Sequence, residues 1–257
     1  MTKFLGWFVV FALLIPVLHT VWVSFSPGSF LMLPKDEWSL RWYREFGHDR
    51  RWQAAMARSL AVACLAGILS VYAATSAAIA FRHSFGNRRR ILELCLLLPA
   101  CLPTVAIGMG LLPLFHLTGL WGSLLGVVLV HGMLGLPVAY LIVRTHLTPA
   151  LDEHATAARG LGASRWQTWW RITFPLLRPA IVSAIAAVSV LSLNESLVTL
   201  FVATPNSETL PVVVWPQLRY AATPLIAVSS VLTMAISGCG VGIAIMASSR
   251  SRPRRPR

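Results

Sequence analysis

Charge is what this sequence has least of. Only 12% of its 257 residues are Asp, Glu, Lys or Arg, about half the share usual in a soluble domain. The scarcity is also patterned. No charged residue lies between Lys3 and Lys35, between Arg58 and Arg82, between Glu93 and Arg144, or between Arg219 and Arg250. A membrane-crossing helix needs about 20 apolar residues in succession, and each gap can hold one, which excludes a water-soluble fold. Cysteine offers little chemistry. Cys64, Cys95, Cys101 and Cys239 stand singly inside apolar runs, without a Cys-x-x-Cys pair or zinc-like spacing, and read as small buried hydrophobes. The sequence has no His-Glu-x-x-His motif, no P-loop and no Gly-x-Ser-x-Gly. Ser123 and His131 are present on apolar segments, but nothing frames the serine as a nucleophile. A membrane enzyme is disfavoured, and no metal site is expected.

What is present is hydrophobic length with basic ends. The net charge is +13, a balance that in a soluble protein suggests nucleic acid. Here the basic residues lie in loops and at the edges of apolar runs, where they suit anionic lipid headgroups instead. Nucleic acid is therefore not expected as a partner, and membrane lipid is. Six spans fit, at about 4–25, 59–81, 92–114, 120–143, 179–203 and 223–247. The run from Leu94 to Val143 is too long for one crossing, and Pro113 to Gly122 supplies a turn within it. The first apolar stretch is long for a secretory signal and reads as an uncleaved span. No internal repeat or Gly/Ser/Pro-rich linker divides the chain, so a single transmembrane domain over 1–257 is expected.

Six spans place both termini on one side. That side receives fifteen Lys and Arg residues, five of them in the basic tail 248–257, and the other receives seven. Both termini are expected in the cytoplasm. In the first outer loop, Trp38, Trp42 and Phe46 recur every four residues. The spacing fits a short helix lying aromatic-face-down in the membrane interface, or an ordinary ordered loop.

One long polar insertion stands out, the loop 145–178 between the fourth and fifth spans. Thr148 is a natural N-cap, Pro149 suits the first helical position, and Asp152 and Glu153 fall where the helix dipole favours negative charge. Ala155, Ala157 and Ala158 follow, then Gly160 and Gly162 interrupt. A second helical start comes at Ser164, followed by Trp166, Trp169 and Trp170 as headgroup anchors. Pro175 and Pro179 are expected to break the segment before the fifth span. The loop reads as helix, glycine turn, helix at the cytoplasmic surface. Either it carries a push from a soluble partner into the spans, or it is a surface loop that happens to be helical.

The spacing Thr156-Ala157-Ala158, Gly162, Ile172, Phe174-Pro175 resembles the signature loop of the inner-membrane permease subunits of binding-protein-dependent ABC importers. That family's pattern is Glu-Ala-Ala, three residues, Gly, nine residues, Ile, any residue, Leu-Pro. Thr156 stands in place of the glutamate, with Glu153 one turn earlier, and Phe174 in place of leucine. "SLNESLVTLFVA" and "TLPVVVWPQLRY" are similar to the spermidine- and putrescine-importing branch. The resemblance implies an all-α membrane protein of six transmembrane helices, with a cytoplasmic coupling helix between spans 4 and 5. It implies a bacterial inner-membrane importer whose cytoplasmic ABC ATPase dimer binds ATP and Mg, so this chain holds no cofactor itself. A periplasmic solute-binding protein and a second permease subunit of different sequence are the other implied partners. Glu153, Thr156, Ala157, Ala158, Gly160, Gly162, Ile172 and Pro175 would form the ATPase-coupling surface.

Polar groups inside the spans are few. Glu195 is the one acidic residue well inside a predicted span, placed in the fifth helix. A charge deep in the bilayer costs about 2.5–3.5 kcal/mol on insertion scales. With Ser192 and Asn194 it could line a path for a cationic solute such as a polyamine, or brace helix packing. His131, like His19 and His116, lacks a partner at metal-ligand spacing and reads as a hydrogen-bonded packing residue. Pro99 and Pro103 share a helical face, making the third span the candidate for a bent, path-lining helix. The small residues of "AGILSVYAATSAAIA" would let helices approach closely. A self-sufficient secondary carrier or channel is the rival class. It would need ion-coupling carboxylates and usually a repeat.

Overall fold

The computed structural model describes residues 2–31, 33, 37–82, 86–220 and 222–249. Residues 250–257 of the expected basic tail lie outside the described residues, as do Lys35 and Asp36. The described residues form helices and turns, with no strand among them. In chain order these are α1 (Thr2–Val23), α2 (Arg41–His48), α3 (Arg50–Arg82), α4 (Gly86–Leu97), a 3-10 turn (Leu98–Cys101) and α5 (Thr104–Thr118). Then come α6 (Leu124–His146), α7 (Pro149–Gly160), α8 (Arg165–Thr168), a π turn (Trp169–Thr173), α9 (Phe174–Asn194), α10 (Thr199–Val202), α11 (Leu210–Tyr220) and α12 (Leu225–Ser249). Among the described residues, five stretches are long and apolar enough to cross a bilayer: Phe4–Val23, Arg50–Arg82, Leu124–His146, Arg165–Asn194 and Leu225–Met246. The sixth is a broken pair, Gly86–Cys101 and Thr104–Thr118, bent by 103°. The chain is an all-α membrane protein.

The bend has a local cause. Pro99 and Pro103 lack backbone donors, and each disfavours helical geometry in the residue before it. The chain tightens into a 3-10 turn over Leu98–Cys101, extends at Leu102, and restarts at Thr104 after Pro103. The two prolines therefore do not share a face of one kinked helix, as the sequence suggested. Pro113, by contrast, lies within α5, and the turn to α6 begins at Gly119, whose φ of 68° ends the helix in the left-handed region.

The described residues fall into two compact units. One comprises Met1–Arg58 and Glu208–Ile236. Its core packs Trp42, Phe46, Trp52 and Ala55 against Leu210, Val213, Leu225 and Val228. An aromatic face lying in the membrane interface was one expectation for α2. Instead Trp42 and Phe46 turn into this core, and the Trp42 indole donates to the Gly28 carbonyl at 2.9 Å. Inward packing captures the large apolar area of both rings and satisfies the indole N–H. Trp38 precedes the helix and stacks on Trp22 with ring centroids 6.3 Å apart. Nearby, the buried Glu208 takes two bonds from Arg51, at 2.9 and 3.2 Å, while Arg58 donates to its backbone carbonyl at 2.8 Å. α1 is exposed from Phe4 to His19, Phe4, Trp7, Phe8 and Phe11 among them, and is buried only at its end, at Val23.

The other unit comprises Ser59–Ser207 and Ser237–Arg257. α6 is its central helix. Ser123 caps it by accepting from the Gly126 amide at 3.0 Å. Its buried residues pack against α3 and α9 through Val71, Ala74, Ala78, Ala184 and Val188. The approach is close enough to require glycine. A Cβ at Gly135 would fall within 2.3 Å of the Val188 side chain and 2.9 Å of Ser70 Oγ. Ser70 Oγ in turn lies 2.7 Å from the carbonyls of Ala66 and Gly132. The small-residue face of α3 thus does what its composition predicted. The four cysteines do not sit where expected: all are exposed and free of disulfides.

Candidate coupling surface and solute cavity

α7 presents two opposite faces. At 100° per residue, Glu153, Thr156, Ala157 and Gly160 fall on one side and Leu151, Asp152, Ala155 and Arg159 on the other. The first set is exposed throughout. The second lines a cavity of about 180 Å³ together with Arg82 of α3 and with Arg165, Thr168 and Trp169. Arg82 fixes the start of α7, pairing with Asp152 at 2.5 Å and donating to the Thr148 carbonyl at 2.6 Å. Thr148 takes the N-cap position and Pro149 the first turn, as the sequence suggested, although the threonine hydroxyl makes no capping bond.

After α7 the chain reverses at Gly162, whose φ is +91°, a conformation open to glycine and costly for other residues. Leu161 projects from this turn, 90% exposed. Ser164 then starts α8 with a reciprocal capping box, its hydroxyl accepting from the Gln167 amide and Gln167 Oε1 from the Ser164 amide. Ala158 and Ile172 are half-buried, and Pro175 is exposed. The expected break at Pro175 and Pro179 does not occur, and helix continues from Arg165 to Asn194. Trp169–Thr173 widen into a π turn separated from Pro175 only by Phe174, giving the ring room that a regular turn denies it. Nothing in the sequence reading pointed to this turn.

A second cavity, of about 200 Å³, lies among Pro99, Leu102, Thr104, His131, Leu134, Ser192 and Glu195. It gathers Pro99, Ser192 and Glu195 from the predicted path residues. Pro103 and Asn194 are not among its walls. Asn194 is exposed and donates back to the Val190 carbonyl at 2.8 Å. Glu195 is not inside the fifth helix, as expected, but the first residue beyond it, with φ −82° and ψ 121°. Its Oε1 accepts from the Val198 amide at 3.0 Å.

His131 bridges the two sides of this helix end. Its Nδ1 lies 2.7 Å from Ser192 Oγ and its Nε2 2.8 Å from Thr199 Oγ1. The buried imidazole thus ties the last turn of α9 to the start of α10, and Glu195 sits between the two tied residues. The sequence pointed to hydrogen-bonded packing at His131, which holds, but not to its place in the cavity wall. Ser123 is engaged elsewhere, and the Ser123–His131 pair does not form. Sequence reasoning also passed over Glu93, which accepts from Arg89 and Tyr140 at 2.9 Å each and from Arg144 at 3.3 Å. The i, i+4 spacing of Arg89 and Glu93 was the available signal.

Broken and unbroken apolar helices around a small, mostly apolar cavity that carries Thr104, His131, Ser192 and Glu195, joined to an exposed helix–glycine–helix loop, define a multi-pass membrane protein. The chain belongs to the family described as binding-protein-dependent transport system inner membrane component, whose model matches residues 66–252. It is 29% identical over 239 residues to the putrescine transport system permease protein PotI of Escherichia coli strain K12, covering 88% of this chain and 82% of that protein. It is 31% identical over 170 residues to the putative 2-aminoethylphosphonate transport system permease protein PhnV of Salmonella typhimurium strain LT2, covering 65% of this chain and 64% of that one. The fold matches that of a bacterial alginate ABC transporter solved with an alginate-bound periplasmic protein. There the TM-score is 0.67 at 14% identity, over 98% of this chain and 93% of that one. The protein is an ABC importer permease subunit of the inner membrane.

Proposed function

We propose that this chain forms part of the path of an ATP-driven importer for a small cationic solute, a polyamine above all, delivered by a periplasmic binding protein. The observation that carries the coupling half of this reading is the exposed face of α7. Glu153, Thr156, Ala157 and Gly160 give it small side chains and one carboxylate, with Gly162 at the adjoining turn. A soluble partner can approach such a backbone closely. A cytoplasmic ATPase dimer, binding ATP and Mg, docks there, and Ala158, Ile172 and Pro175 transmit its closure toward α9. The solute half rests on Glu195, the one carboxylate in the 200 Å³ cavity, and on the relative named for putrescine transport. A second permease of different sequence completes the path, and the uncovered length of α1 faces lipid or that partner. Both termini lie in the cytoplasm.

The test is reconstitution. The chain, co-expressed with its neighbouring transporter subunits, is expected to co-purify with an ATPase. Proteoliposomes should accumulate putrescine only with binding protein outside and ATP inside. Uptake that runs on an ion gradient without ATP would establish a self-sufficient carrier instead.

A further inference from the structure

The inward face of α7 is not used by the coupling reading, and its chemistry differs sharply from that of the outward face. The 180 Å³ cavity behind it has apolar walls in Ile79, Leu147 and Leu151, and it is roughly an order of magnitude larger than one water needs. Three guanidinium groups line it, Arg82, Arg159 and Arg165, against a single carboxylate, Asp152. Arg82 and Asp152 neutralise each other. Arg159 bonds only within its own helix, to Ala155 O and Thr156 Oγ1. Among the described residues, neither Arg159 nor Arg165 has an acidic partner. Two uncompensated cations therefore border one partly apolar pocket, on either side of the Gly162 turn. Guanidinium forks match phosphate oxygens bidentately. Trp169, set by the π turn, contributes an aromatic wall to the same pocket, the mix of apolar body and polar edge that suits a headgroup region.

We propose that this cavity binds an anionic phosphate group, with Arg159 and Arg165 as its ligands. Occupancy would bridge the end of α7 to the start of α8 and so stiffen the turn between them. The phosphate could arrive as the headgroup of an anionic lipid or as a free phosphate. The recognising chemistry is the same, and it does not depend on which solute is carried.

The experiment uses the full chain in detergent micelles, with native mass spectrometry to count bound phosphatidylglycerol and thermal unfolding to follow its effect. Retention of phosphatidylglycerol is expected, with a raised unfolding midpoint. Arg159→Gln with Arg165→Gln should weaken binding by at least about tenfold, since each charge-assisted bond lost is among the stronger kind. Arg178→Gln, outside the cavity, should leave it unchanged. Asp152→Asn removes the one lining carboxylate and should tighten binding, so a gain is sought as well as a loss. Displacement of the lipid by inorganic phosphate would assign the site to free phosphate, and persistence would assign it to lipid. Wild-type binding by the double variant, or equal loss in Arg178→Gln, would overturn the proposal. Because the readout is ligand binding, its failure is separable from a failure of ATP-dependent uptake.

Discussion

Glu195 shows how much a single residue's setting alters its meaning. Within a continuous helix it would be an acid held in lipid. At the helix end it closes a local turn with one carboxylate oxygen, toward the Val198 amide, and borders a cavity. The two roles separate under Glu195→Gln. The amide oxygen can still accept from Val198, so the turn survives, while the negative charge is lost. A charge-assisted hydrogen bond is worth about 1.5–3 kcal/mol. The apparent KM for putrescine uptake should therefore rise by about tenfold or more, with the unfolding midpoint nearly unchanged. Unaltered uptake kinetics would reduce Glu195 to a brace. That an acid stood in an apolar run was legible in the sequence. Where the helix ended was not, and the contacts that bridge that end come from His131, more than sixty residues away in the chain.

Among the elements, the loop between the fourth and fifth spans was the most readable, because its signals are local. A proline at the first turn, a glycine at positive φ and a capping box are each specified within four residues. The π turn was not readable, since two prolines ordinarily mark a break, whereas here the turn widens ahead of Pro175 and Pro179 stands inside the continuing helix. The same limit applies to α2, where four-residue aromatic spacing gave the periodicity but not whether lipid or protein would cover it. Gly162 offers the cleanest test of the element. A Cβ there would meet nothing within 4 Å, so Gly162→Ala carries a backbone cost alone, about 1–3 kcal/mol. The variant should fold and insert, yet lose ATPase co-purification and most ATP-dependent uptake. Wild-type uptake would show that the turn need not hold its present shape, and the coupling reading would lose its hinge.

For the whole molecule, the governing asymmetry is electrostatic. Fifteen basic residues lie on the side assigned to the termini and the α7 loop, against seven on the other. Near an anionic cytoplasmic leaflet each contributes on the order of 1 kcal/mol, enough in sum to set orientation while the apolar spans set insertion. The loop 26–58, expected on the outer side, partly offsets this with six basic residues of its own, and the structure gives some of these internal work: Arg51 and Arg58 are engaged by Glu208. Arginines held this way are satisfied by protein rather than by lipid headgroups, so they compete weakly for the cytoplasmic face. Orientation is therefore expected to follow the α7 side. With the four exposed cysteines replaced by alanine, a membrane-impermeant thiol reagent should label Ser39→Cys in intact cells. Arg178→Cys should label only after permeabilisation. The reverse pattern would put α7 outside the cell, out of reach of any ATP-binding partner, and the proposed coupling would fail with it.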